Sequence, residues 1–189
     1  GHDPSLRMRI VMAGDERPSL LEPSVLQLAD DVRIAVGEGQ TDFVIDMILK
    51  CVCKLGSKVP VYGTLVGLVN QDIPDFGKKM INGVHARLEQ ACVNDDFVRQ
   101  KLLLRTAAEL CNSGVLYMSG LVGLLNDFLA VSRDSHAQPR RRDIAALLVM
   151  STLPWCCERL REDKREELED LYAYLKSHME TRPPADQVL

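Results

Sequence analysis

From Ser24 onward, apolar residues return every three or four positions. Val25, Leu28, Ala29, Val32 and Val36 form a first helical stripe, closed by Gly37 and Gly39. Thr41 suits an N-cap, and behind it Val44, Met47, Ile48, Cys51, Val52 and Leu55 make a broad stripe that Gly56 ends. Pro60 and Pro74 fit first turns, where a missing N–H costs nothing, and a helix of small residues spans 61–70 between them. Phe76, Met80, Val84, Leu88 and Cys92 recur every four residues. Asn94 or Asp95 is expected to cap the next helix, which carries Val98, Leu102, Leu103, Ala107, Leu110 and Cys111 and stops at Asn112-Ser113-Gly114. Leu121, Leu124, Leu125, Phe128 and Leu129 follow, with Ser119 as the candidate cap. A polar loop over 132–138 leads to Pro139 and an apolar helix over 144–153. The last helix is charged, with Leu168, Leu171, Tyr172, Leu175 and Met179 on one side and Pro183-Pro184 at its end.

The pattern predicts about eight helices and no alternating strand. Several helices are apolar around much of their girth and must be covered by neighbours. The expected architecture is all-α, an α-solenoid of about four stacked antiparallel helix pairs of HEAT-like type, with a compact bundle left open by periodicity alone. Residues 1–19 read as a poorly structured start, with Gly1-His2 as a cloning remnant. Residues 20–180 read as the helical domain, and 181–189 as a tail or the start of a linker. The strings Leu65-Val66-Gly67-Leu68 and Leu121-Val122-Gly123-Leu124 look alike, and both glycines are expected to let a neighbouring helix come close.

Composition narrows the function classes. With 46% hydrophobic residues the chain of 189 is neither disordered throughout nor spanned by an uncharged apolar run of membrane length. Its net charge of −4 excludes a strongly basic domain but leaves room for a local patch. Six cysteines fall without zinc-ligand spacing, and the amino terminus has no secretory pattern, so buried thiols in a reducing compartment are expected. His85 is read as a helix-face histidine, nothing in the sequence brings His136 or His178 to a cysteine, and no phosphate-cradling glycine loop occurs. The reading is therefore non-enzymatic, with no catalytic residue, cofactor or metal. Arg140-Arg141-Arg142 is the only dense basic run and the candidate partner-binding site. A second class, a directly RNA-binding helical domain of a translation initiation or mRNA-decay scaffold, would need a basic stripe. Lys78, Lys79, Arg87, Arg99, Lys101 and Arg105 are its candidates.

Two motifs carry a family resemblance. Residues 61–70, Val-Tyr-Gly-Thr-Leu-Val-Gly-Leu-Val-Asn, followed by Phe76-Gly77, resemble the first domain of the nuclear cap-binding complex's large subunit. Ser151-Thr152-Leu153-Pro154-Trp155, preceded by Arg141-Arg142-Asp143, resembles a second signature, and Tyr174-Leu175-Lys176 agrees as well. The resemblance covers Ser24 to the C-terminus. It implies a fold similar to the middle domain of translation initiation factor 4G, and a chain corresponding to the first of three such domains. It implies a scaffold that supports binding of capped RNA by a small RNA-recognition-motif subunit, reached through the rest of the large subunit. RNA-processing and export factors would be its other partners, capped RNA an indirect one, and no membrane is involved. The implied location is the nucleus, with shuttling to the cytoplasm left open. Tyr62, Leu65, Leu68, Leu153 and Trp155 are expected in the core.

Overall fold

Every regular element among residues 4–182, which the computed structural model describes, is helical. In chain order these are α1 (Pro4–Met12), α2 (Pro18–Gly37), α3 (Thr41–Val52), α4 (Val59–Asp72), α5 (Pro74–Val93), α6 (Phe97–Asn112), α7 (Met118–Arg133), α8 (Pro139–Thr152), α9 (Cys157–Asp163) and α10 (Arg165–Glu180). Short 3₁₀ turns at Gly56–Lys58 and Leu153–Trp155 precede α4 and α9. The first compact unit ends at Tyr117 and the second begins at Met118. The expected remnant Gly1-His2 and stop Pro183-Pro184 lie outside the described residues.

Proline and positive-φ residues set the helix limits. Pro18, Pro60, Pro74 and Pro139 occupy first or second helical positions, where the lost N–H has no intrahelical partner to miss. Gly39 and Gly114 adopt φ of +80° and +77°, and the amides after them reach back to Ala35 and Leu110 at 2.9 and 2.8 Å. Asp95 makes the same reversal after α5 at φ +49°, so it is the stop of one helix rather than the cap of the next. Asp96 is the cap, its carboxylate accepting from the Arg99 amide at 3.0 Å. Thr41 is already inside α3, and Ser119 inside α7.

In the first unit α4 is the hub. It packs on α2, α5 and α6, and short loops between contacting neighbours make the successive helices antiparallel. A Cβ on Gly67 would stand 2.7 Å from the Ser113 Cβ and 3.0 Å from the Ser113 carbonyl oxygen. One on Gly63, a turn earlier, would stand 2.8 Å from the Glu109 Cβ. These two glycines share a face and let the backbones of α4 and α6 approach. Gly77 of α5 plays the same part against the Asn70 side chain. Around this contact Tyr62, Leu65, Val66, Leu103, Leu104 and Leu110 are fully buried or nearly so. Gly123 departs from expectation: it is exposed and nothing lies within 4 Å of where its Cβ would be. Only one of the two similar strings is a close-approach site.

Residues 4–12 also depart from the expected loose start. They form α1, which buries Leu6 and Ile10 against α2 and α3. A helix this short is marginal alone, so tertiary contacts must hold it. The Tyr62 hydroxyl donates to the Ile10 carbonyl at 2.9 Å, and Lys58 Nζ donates to the Val11 carbonyl at 3.0 Å while pairing with Asp15 at 2.7 Å. Two carbonyls that α1 cannot satisfy internally are thus capped from the start of α4 and the turn before it. Burial pushes the Tyr62 hydroxyl far above its ordinary pKa, keeping it a donor. Arg33 serves the other end of α4: its guanidinium donates to the Leu68 carbonyl at 2.7 Å and pairs with Asp72 at 2.7 Å.

The two glycines should respond oppositely to alanine. Gly123→Ala is expected to raise stability by up to about 1 kcal/mol, the helix-propensity difference. Gly67→Ala is expected to lower it by about 1–3 kcal/mol, because the clash outweighs that gain. Urea unfolding of the two variants checks both signs. Tyr62→Phe leaves the Ile10 carbonyl with only the longer bond from the Ala13 amide, at 3.4 Å, and should cost about 1 kcal/mol. Hydrogen exchange should then speed up first in α1.

Candidate functional site

The second signature lies in the second unit, and two of its polar residues, Arg142 and Asp143, join a connected cluster of side chains. Arg142, in the first turn of α8, donates to the Ser132 carbonyl at 2.8 Å near the end of α7. Tyr174 of α10 donates its hydroxyl to Ser132 Oγ at 2.9 Å. The Arg133 guanidinium lies 4.5 Å from the Tyr174 ring centroid, and the His178 ring stacks on Tyr174 with centroids 6.0 Å apart. Asp143 accepts from His178 Nε2 at 2.9 Å and pairs with Arg182 at 3.0 Å. The ends of α7 and α10 are thereby tied to the start of α8. Arg133, His178 and Arg182 sit at helix C-termini, where positive charge is favoured.

This cluster contains a serine, a histidine and an aspartate, but its geometry is structural. Ser132 is fully buried, and its hydroxyl meets Tyr174 rather than the imidazole. No nucleophile is presented to a substrate. The sequence offers no spacing that would bring Asp143 to His178, which lie 35 residues apart. His85 and His136 are exposed on the surface. Among the described residues no group of three or more His, Cys, Asp or Glu could hold a metal, and no helix is long and apolar enough to cross a membrane. Cys51, Cys111 and Cys156 are buried, and none of the six cysteines forms a disulfide.

The candidate arginines therefore part company. Arg142 is half-buried and belongs to the fold, whereas Arg140 and Arg141 are exposed and have no acidic partner among the described residues. The candidate RNA stripe is largely neutralised. Lys78 pairs with Asp75, Lys79 with Asp42, Arg87 with Asp46 and Arg99 with Asp96, while Arg105 donates to the Gly56 carbonyl at 3.2 Å. Of the six, Lys101 alone has no such bond among the described residues; it is exposed on α6.

Of the expected core residues, Tyr62, Leu65 and Leu153 are buried. Leu68 is half-buried, at the edge of α4 where Arg33 reaches its carbonyl. Trp155 corrects the expectation outright: it is 43% exposed. With three residues per 3₁₀ turn, Leu153 and Cys156 fall on one side and take the buried positions, so Pro154 and Trp155 face outward. Tyr172 and Met179 likewise leave the core of α10 to Leu168, Leu171 and Leu175. The apolar stripe of α10 is wider than the surface its neighbours cover, and that excess width was the available signal.

Antiparallel helices in close-packed succession, with signature residues spent on packing, define a helical-repeat domain. Comparison with known proteins agrees. The MIF4G domain family matches residues 16–187, and the chain belongs to that family. It is similar to Nuclear cap-binding protein subunit 1 of Oryza sativa subsp. japonica, 27% identical over 158 residues, covering 80% of this chain and 18% of that protein. The protein of the same name from Homo sapiens is 28% identical over 149 residues, covering 75% of this chain and 19% of its own length. The one from Salmo salar is 28% identical over 191 residues, covering 97% and 23%. The chain thus spans about a fifth of the length of these curated relatives.

The exposure of Trp155 sets its energetic weight. Trp155→Ala should cost about 1–2 kcal/mol, well under the ~3–5 kcal/mol of a fully buried indole. Thermal melting of the variant distinguishes the two values.

Proposed function

We propose that this chain is a non-catalytic scaffold domain within the large subunit of a nuclear cap-binding complex. In this reading it supports capped-RNA binding by the small subunit without touching the cap, and it offers surfaces to RNA-processing and export factors in the nucleus. The observation that carries the reading is the use of the family signatures. Gly63, Gly67 and Gly77 set helix spacing, and Arg142, Asp143 and Tyr174 tie helix ends, so the signatures maintain a shape rather than a reacting site. A shape held this way serves other macromolecules through its surface. A helical domain that includes α1 and runs to about 180, with a linker starting near 181, is part of the same proposal.

Direct RNA binding is disfavoured by the local pairing of its candidate cations. Neutralising phosphates with residues already bonded to Asp42, Asp46, Asp75 and Asp96 would require breaking those contacts.

Two measurements on the 189-residue chain test the reading. Calorimetry with 7-methylguanosine cap analogue should give no binding, and micromolar affinity would overturn it. A gel shift with short capped and uncapped RNA at two salt concentrations should show no shift. A salt-sensitive shift would favour the RNA-binding class instead.

A further inference from the structure

Among the described residues the second unit leaves apolar surface uncovered, beside two arginines with no acidic partner there. A groove of about 500 Å³ runs between the end of α8, with the turn after it, and the C-terminal half of α10. Met150 and Pro154 line one side, Tyr172, Leu175 and Met179 the other, and Lys176 is the charged member of the lining. Leu147, 59% exposed, precedes Met150 by one turn on the same side of α8. Arg140 lies two turns before Leu147 on that side. Tyr172 and Met179, both 49% exposed, recur with Lys176 at helical spacing along α10.

Two apolar rows at three- and four-residue intervals, carried by neighbouring helices, form the seat that a third helix fills by placing its own ridge between them. The charge pattern says which kind of helix. Arg140 and Arg141 lie in the first turn of α8, at the positive end of its dipole, where cations are disfavoured. Arg142 offsets its position by bonding to Ser132. Among the described residues Arg140 and Arg141 have no such offset, and Lys176 meets only Glu180, at 4.0 Å on an exposed surface. An acidic group placed at the start of α8 would neutralise Arg140 and Arg141. A phosphate backbone fits poorly, because the same surface would desolvate phosphates against Met150, Leu147 and Met179.

We propose that this groove docks an amphipathic helix of a partner protein. Its apolar face would seat between α8 and α10, with acidic residues at the end that meets Arg140 and Arg141. The inference rests on the reading of the chain as a protein-docking scaffold, and it names the surface and the chemistry of the partner.

The probe is a fluorescent peptide of about 16 residues, roughly 24 Å of helix, with Leu along one face and Glu in its first turn. The 189-residue chain should bind it saturably in fluorescence anisotropy. Leu147→Glu and Tyr172→Glu, both at exposed positions, should each abolish binding while leaving the thermal melt in place. Arg140→Glu with Arg141→Glu should weaken it by about tenfold at low salt, and by much less at high salt. Equal affinity for a peptide with Lys in place of Glu, or no saturation at all, would overturn the proposal. So would self-association of the chain that Leu147→Glu abolishes, since a second copy would then own the groove. Absent peptide binding together with absent RNA binding overturns this docking site alone. Absent peptide binding together with a salt-sensitive RNA shift overturns the scaffold reading as well.

Discussion

The first unit depends on how closely α4 approaches α6. Gly63 and Gly67 remove two side chains from that interface, so the backbone of α4 rests on Glu109 and Ser113. Once that spacing is set, the remaining faces of α4 are placed for α2 and α5. Its first turns then present Tyr62 to α1, and its last carbonyls meet Arg33 of α2. Each glycine carries a helix-propensity penalty of about 1 kcal/mol, which the packing gained along the whole contact must exceed. A single helix thus sets the positions of its neighbours by lacking side chains on one face.

The second unit solves the same geometric problem with polar groups. Ser132, Arg142 and Tyr174 connect three helix ends, and Asp143 gathers His178 and Arg182. Hydrogen bonds between specified atoms fix register more sharply than apolar contact, and a buried Ser132 would be costly without its partners. That requirement explains why a run of arginines at the positive end of α8 is tolerated. One of the three is needed by the fold, and its neighbours share its place in the chain without sharing its bond.

Helices were legible in the sequence wherever an apolar stripe ran for three turns or more. The stops at Gly39 and Gly114 were legible because only glycine adopts that backbone without strain. What escaped was set by partners distant in sequence. Residues 4–12 carry too little periodicity to announce α1, whose stability comes from Tyr62 and Lys58, about 50 positions away. Gly67 and Gly123 sit in nearly identical strings, and only the neighbouring helix decides which one is crowded. Trp155 follows an apolar run and reads as core, yet the tighter 3₁₀ turn rotates it outward. The candidate site was legible as a basic run, and the division of labour within it was not. Nothing in Arg140-Arg141-Arg142 says which guanidinium finds the Ser132 carbonyl.

Net charge is a poor guide to partners when charge is arranged this unevenly. The value of −4 argues against a nucleic-acid surface only as an average. In the first unit the argument becomes local, because four of the six cations that could form a stripe are matched to an acid a turn away or on a neighbouring helix. In the second unit residues 158–170 hold seven acids against four bases, while Arg140, Arg141 and Arg142 stand together where α8 begins. Over the length of α8, about 20 Å, that separation is twice a Debye length at moderate salt. The two ends therefore act as separate electrostatic surfaces. A partner is selected by the charge of the end it meets and the apolar groove beside it, and hardly at all by the sum over the chain.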